Sequence, residues 1–168
     1  LNLNGLWDYA ITGTGTRPDN WEGTILVPYP VESALSGVRR RVTDTQYLWY
    51  KTNFSVPRSW KKRELLLNFE ASDWETTVWI DGNEAGTHRG GYDPFSFNIT
   101  RFLDKKRNHE IVVRVWDPTD KGYQPRGKQV SQPNGIWYTP TTGIWQTVWL
   151  EPVNESHISS FRYVSDIE

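Results

Sequence analysis

The stretch WETTVWIDGNEAG, Trp74–Gly86, reads as a β-hairpin. Thr76–Ile80 is a run of β-branched and aromatic residues, the types that fit a pleated, half-buried surface. It ends at Asp81-Gly82, a dipeptide favoured in tight hairpins because it tolerates positive φ. Asn83–Thr87 then returns as the partner strand. An amphipathic helix would need apolar residues at i, i+3, i+4 and i+7 over several turns, and no segment of the chain keeps that stripe.

Outward from the hairpin the same grammar repeats. Leu6–Ile11, Ile25–Val27, Tyr47–Val56 (stopped by Pro57), Glu64–Glu70, Phe95–Ile99, Glu110–Trp116 and Val148–Val153 all read as strands. Trp145–Leu150 alternates as well. Many short strands parted by glycine and proline turns predict an all-β sandwich or barrel, the class that includes jelly rolls. Three connections are long: Thr12–Thr24, Pro28–Gln46 and Asp117–Gly143. Loops of that length in a compact domain are usually functional or disordered, and their tryptophans and prolines argue against disorder.

Composition bounds the chemistry. The 168 residues carry 19 basic and 20 acidic side chains, a net charge of -1, so a nucleic-acid partner is not expected. Arg39-Arg40-Arg41 is read as the one basic cluster, on a solvated loop. Cysteine is absent, which removes disulfides, thiolate metal sites and cysteine nucleophiles. No apolar run approaches the roughly 20 residues of a membrane helix. Methionine is absent too, so the chain reads as a fragment of something larger. Its localisation stays open, with a bacterial periplasmic or otherwise extracytoplasmic setting as the working expectation. The ten tryptophans are read mainly as core, with some left over as candidate sugar platforms.

Among candidate sites, no Gly-x-Ser-x-Gly elbow is present. His88, His109 and His157 lie far apart and read as surface residues, so no metal is expected. Glu70, Asp73 and Glu75 cluster in sequence but border strands, where carboxylates are commonly solvated. The stretch VRVWDPTDKGYQPRGKQ, Val113–Gln129, is more informative. The strand alternation stops at Asp117-Pro118, and a loop rich in mixed charge follows. Asp117 and Asp120 begin it, and Arg126 and Lys128 come after. Opposite charges nearby keep a carboxylate ionised, which suits ligand or ion binding better than proton donation.

Six segments in order, LNGLWDYAI, VPYPVESALSGV, YLWYKTNFSVP, FEASDWETTVWIDGNEAGTHRGGYDPFSFNITRFL, VRVWDPTD and GIWQTVWLEPV, resemble the N-terminal domain of glycoside hydrolase family 2. The resemblance runs from Leu3 to Val153. It implies a galactose-binding-like jelly-roll β-sandwich over residues 1–153. It also implies two absent partners in the same chain, an immunoglobulin-like domain and a TIM barrel. Residues 154–168 would then be a linker and the first strand of the immunoglobulin-like domain, with Ile158–Val164 as that strand. The family's two catalytic glutamates lie in the barrel, and nothing here matches their motifs. The fragment is therefore expected to be inactive alone, with no cofactor, while its parent chain hydrolyses O-glycosyl bonds of a carbohydrate substrate. Asp117 matches an aspartate that in some members reaches the barrel's site, beside a cation in β-galactosidases. The residues after it depart from the β-galactosidase pattern, so neither cation nor galactose is carried over. Arg126, Lys128 and Gln129 are added by position as loop residues facing the substrate. An autonomous carbohydrate-binding module and a purely structural sandwich are the two other readings.

Overall fold

The computed structural model describes residues 1–104 and 108–167. Eleven strands form it, with three single-turn 3₁₀ segments and no α-helix among the described residues. They are β1 (Gly5–Thr12), β2 (Gly23–Val27), β3 (Tyr47–Ser55), β4 (Glu64–Phe69), β5 (Ser72–Asp73) and β6 (Glu75–Ile80). β7 (Asn83–Arg89), β8 (Phe95–Asn98), β9 (Asn108–Trp116), β10 (Gly143–Ile144) and β11 (Val148–Val153) complete the set. The six-stranded sheet has the order β2-β1-β3-β9-β6-β7, and the facing three-stranded sheet the order β11-β4-β8. β5 and β10 pair separately, Gly143 opposite Asp73 and Ile144 opposite Ser72. Every pairing between these strands is antiparallel, and the two layers make a jelly-roll sandwich.

The hairpin closes as its sequence requires, with Ile80 opposite Asn83 and a register shift at Val78/Trp79. Asp81 and Gly82 both take positive φ. Alternation then assigns the faces. In β9, His109, Ile111, Val113 and Val115 are buried toward the second layer. Across the core they meet Leu65, Leu67 and Phe69 of β4 and Val148 and Leu150 of β11. Trp7 stands edge-on to Tyr50 at 6.3 Å, and its Nε1 donates to the Leu3 carbonyl at 2.8 Å. Burial of these side chains supplies the main favourable term for the sandwich.

The outer face of the large sheet has a smaller core of its own, built on Ala10, Trp49 and Val112. Trp49 stacks on Trp79 at 5.6 Å, and the Arg114 guanidinium lies over both rings. Arg114 also donates to the Gly15 carbonyl at 3.1 Å, so the loop between β1 and β2 folds back over this face. Trp21 packs there as well. Of the ten tryptophans Trp7 and Trp49 are fully buried, Trp60 packs partly buried against the main core and Trp21 and Trp79 against the outer one, and Trp137 is exposed. An indole can be half wet because its ring is apolar and its N–H polar.

Residues 154–167 form no strand and are exposed. The two short strands β5 and β10 are additions that alternation could not reveal, since two residues have no period.

Gly143 adopts φ +93°, and a Cβ there would collide with the Tyr50 hydroxyl and Leu48 Cδ2. Gly143→Ala is expected to cost about 3 kcal/mol through overpacking and backbone strain. Thermal denaturation should show a fall in Tm of about 6–12 °C. Gly13→Ala, with open space around its Cβ, should leave Tm unchanged.

Candidate functional site

Asp117 continues the inward parity of His109, Ile111, Val113 and Val115, so β9 delivers its carboxylate into the end of the sandwich rather than to solvent. It is 2 % exposed. One carboxylate oxygen accepts the Thr119 amide at 2.7 Å, and the other accepts the Thr142 hydroxyl at 2.7 Å. The Thr142 amide in turn donates to Glu32 Oε2 at 3.0 Å. Ile144 donates its amide to the Tyr50 hydroxyl at 3.1 Å. Thus the end of the long loop is tied to its start, to the loop after β2 and to β3.

A second set of bonds holds the middle of the loop. The buried Gln129 donates from Nε2 to Asp73 Oδ2 at 3.1 Å and to the Tyr92 hydroxyl at 3.3 Å. Its Oε1 accepts the Thr141 amide at 2.5 Å. Tyr138 and Lys128 pair through their backbones at 2.8 Å, and Val130 and Tyr138 at 3.0 Å. Asp120 accepts both the amide and the hydroxyl of Ser131, which holds its carboxyl below the usual range.

Above this floor Arg126, Lys128 and Gln129 line one cavity of about 250 Å3 together with Tyr92, Tyr138 and Trp145. Asp73 closes its base. Arg126 donates to the Asp120 carbonyl at 3.2 Å and stacks over Trp137 at 5.9 Å. Neither Arg126 nor Lys128 forms a salt bridge among the described residues. Of the four residues singled out in sequence, three therefore share a cavity, and Asp117 lies beneath it as part of the loop's anchor. A neighbouring cavity of about 560 Å3 runs along Trp74, Trp116, Gly122 and Tyr123.

Three expectations are corrected here. Asp73 is not solvated: it is 4 % exposed, while Glu70 is exposed and Glu75 pairs with Arg89 at 2.7 Å. Asp117 is not kept ionised by the loop's cations; burial raises its pKa, against the lowering effect of the Thr142 and Thr119 bonds. Burial likewise pushes Glu32 up to about 7, with the charge of Asp117 adding to it. Asp73 is pushed up to about 7 by burial and then by Asp117. His109 also departs from the surface reading, at 1 % exposure with Nδ1 2.6 Å from Asp81 Oδ2. Sequence alone could have flagged Asp117 and His109 by their shared parity with the valines of β9. Nothing local marked Asp73, Glu32 or Thr142. No group of acidic and histidine side chains among the described residues is arranged to hold a metal ion.

The raised carboxyls carry a definite sign. Between about pH 4, where free carboxyls titrate, and about 7, the folded chain holds protons that the unfolded chain releases. Their stabilising contribution is full below that window and is lost as pH rises through it. Tm should therefore fall from pH 5 to pH 8. Glu32→Gln keeps an acceptor for the Thr142 amide and removes one titration, so it should raise Tm at pH 8 and flatten the profile. An unchanged slope in that variant would exclude Glu32 as a source.

The family model described as "Glycosyl hydrolases family 2, sugar binding domain" matches residues 17–151. A β-galactosidase of Thermoanaerobacter pseudethanolicus is 33% identical over 120 residues, covering 70% of this chain and 15% of the relative. A β-glucuronidase of Paenibacillus borealis is 27% identical over 121 residues, covering 68% of this chain and 20% of the relative. The chain thus spans a fifth or less of the length of these two curated relatives. Among solved structures, a Ruminococcus gnavus β-glucuronidase superposes with a TM-score of 0.73 at 20% identity, over 92% of this chain and 28% of that one. The match over residues 17–151 and the shared sandwich have one meaning: the chain belongs to glycosyl hydrolase family 2, and most of its length is that family's sugar binding domain.

Proposed function

We propose that this chain is the non-catalytic N-terminal domain of a family 2 glycoside hydrolase, and that its Asp117–Gly143 loop forms one wall of the substrate site on a catalytic barrel. In this reading residues 154–168 lead into an immunoglobulin-like domain, and the barrel supplies both catalytic carboxyls. The observation that carries the proposal is a contrast within one loop. Its base is pinned by buried hydrogen bonds through Asp117, Gln129 and Thr142, yet its outer part exposes Tyr123, Ile136, Trp137 and Tyr138. A loop held rigid while displaying large apolar side chains is suited to meet another surface. The exposed Ile158, Phe161, Tyr163 and Val164 support a continuation in the same way.

Arg126 and Lys128 would touch the sugar or its aglycone, while Gln129, whose amide is already bonded to Asp73, Tyr92 and Thr141, would hold the cavity's shape and Asp117 would set the loop's position from beneath. A planar guanidinium and an ammonium offer donors to hydroxyl or carboxylate oxygens, and Tyr92 and Tyr138 offer ring faces to sugar C–H groups. Arg126 and Lys128 perform no bond cleavage, so their effect is on substrate orientation.

The same cavity would also serve an autonomous carbohydrate-binding module, favoured by the aromatic rings that line it. Calorimetry of the isolated chain with simple sugars separates the two. Heat of binding at millimolar sugar supports the module, and none leaves the wall of a composite site. In the parent enzyme, the double variant Arg126→Ala/Lys128→Ala should lower kcat/KM by about 10–100-fold, as lost charge-assisted hydrogen bonds do. Asp117→Ala should lower it too, with increased proteolysis of the loop. Wild-type kcat/KM in both variants, with normal folding, would overturn the active-site role.

A further inference from the structure

The opposite end of the sandwich carries a second concentration of chemistry. From His109 in β9 to Asp117 just beyond its end the chain covers eight extended residue steps, so the two ends lie roughly 25 Å apart. Between β3 and β4 the chain makes a tight turn through Arg58, Trp60, Lys61, Lys62 and Arg63. This is a basic cluster that the sequence reading, fixed on Arg39–Arg41, passed over. All four cations are exposed. None forms a salt bridge among the described residues.

These side chains line a cavity of about 700 Å3 rather than a flat surface. That volume lies within the ordinary range of ligand pockets, roughly 300–1,000 Å3. Trp60 is half-buried, packed against the core and lining the cavity. His109 also lines it; Asp81 takes its Nδ1 at 2.6 Å, which leaves Nε2 as the ring's remaining polar atom. Phe54 lies tilted against the ring at 5.4 Å, and Asp81 is itself fixed by the Glu110 amide at 2.9 Å. The histidine is therefore oriented from two sides. Asp104 is the one carboxylate that lines the cavity among the described residues, and it has an interaction of its own.

We propose that this cavity binds an acidic oligosaccharide, a short glycan bearing uronate or sulfate groups, at the pole remote from the Asp117 loop. Four exposed cations within six residues attract anions, and guanidinium forks match carboxylate and sulfate geometry. The indole face of Trp60 suits the C–H face of a sugar ring. A nucleic acid fits less well, because its binding domains are basic overall and this chain has a net charge of -1. The site is independent of the role given above to Arg126 and Lys128. It would hold an anionic polysaccharide while a separate site acts on it.

The test is titration calorimetry on the chain with a short oligogalacturonate, a sulfated oligosaccharide, a neutral oligosaccharide of the same length and a short DNA duplex. At least one acidic glycan should bind at least about tenfold more tightly than the neutral one. Raising salt from about 50 to about 300 mM should weaken that binding. Which acidic glycan binds identifies uronate or sulfate as the recognised group. Lys61→Glu/Arg63→Glu should reduce binding at least about tenfold, and Arg126→Ala/Lys128→Ala should leave it unchanged. Equal binding of the neutral glycan, tighter binding of DNA, no binding of either acidic glycan, or full binding by the charge-reversed variant would each overturn the proposal. Both reversed residues are exposed, so an unchanged circular dichroism spectrum is the folding control.

Discussion

The loop end of this sandwich depends on Thr142. Its amide donates to Glu32 and its hydroxyl to Asp117, and the residue is wholly buried. The connection between β9 and β10 is long, and drawing its ends together costs chain entropy that grows slowly with length. Here one side chain at the return point meets the carboxylate at the departure point. In a water-poor interior such bonds are stronger than at the surface, and leaving either partner unmatched would be costly. The Tyr50 hydroxyl, taking the Ile144 amide, ties the same return point to the middle of β3.

The same arrangement explains why three carboxyls share one end of the core. Glu32, Asp73 and Asp117 each accept hydrogen bonds from loop residues, which an apolar side chain could not do. The cost is desolvation of charge, and all three respond by holding their protons more tightly than free acids. They serve as acceptors that organise backbone and amide donors. Their engagement differs: Asp117 has both oxygens bonded by Thr119 and Thr142, whereas Glu32 uses Oε2 for the Thr142 amide and keeps Oε1 buried without a hydrogen-bond partner among the described residues.

Most strands were legible because their residues alternate over five or more positions. The hairpin at Asp81-Gly82 announced itself through its turn residues, and β3, β4, β9 and β11 through their apolar phase. β5 and β10 were not legible, because two residues cannot show a period. The six-segment resemblance found the family, but placing the site needed tertiary facts. Asp73 looked solvated because it borders strands, where carboxylates are commonly wet; it is buried because Gln129 and Gly91 close over it. His109 was read as surface from its distance to the other histidines, although its parity with Ile111, Val113 and Val115 marks it as inward; only the fold supplies its partner Asp81. Arg126, Lys128 and Gln129 were found by position in the loop, and their common cavity exists only because the Lys128–Tyr138 backbone pairing folds the loop on itself.

One feature of β9 reaches beyond packing. Its inward face begins with a histidine and ends with an aspartate, with only aliphatic residues between, and both polar ends have fixed partners. The strand therefore acts as a ruler of set length. A single inserted or deleted residue between positions 109 and 117 would turn one polar end outward and break its pairing, whatever apolar residue was chosen. A two-residue change would preserve the phase and still miss one partner by a full repeat. Changes of chain length are thus better tolerated in the loops beyond both ends than within this stretch, and the distance between the two poles is set by the strand itself.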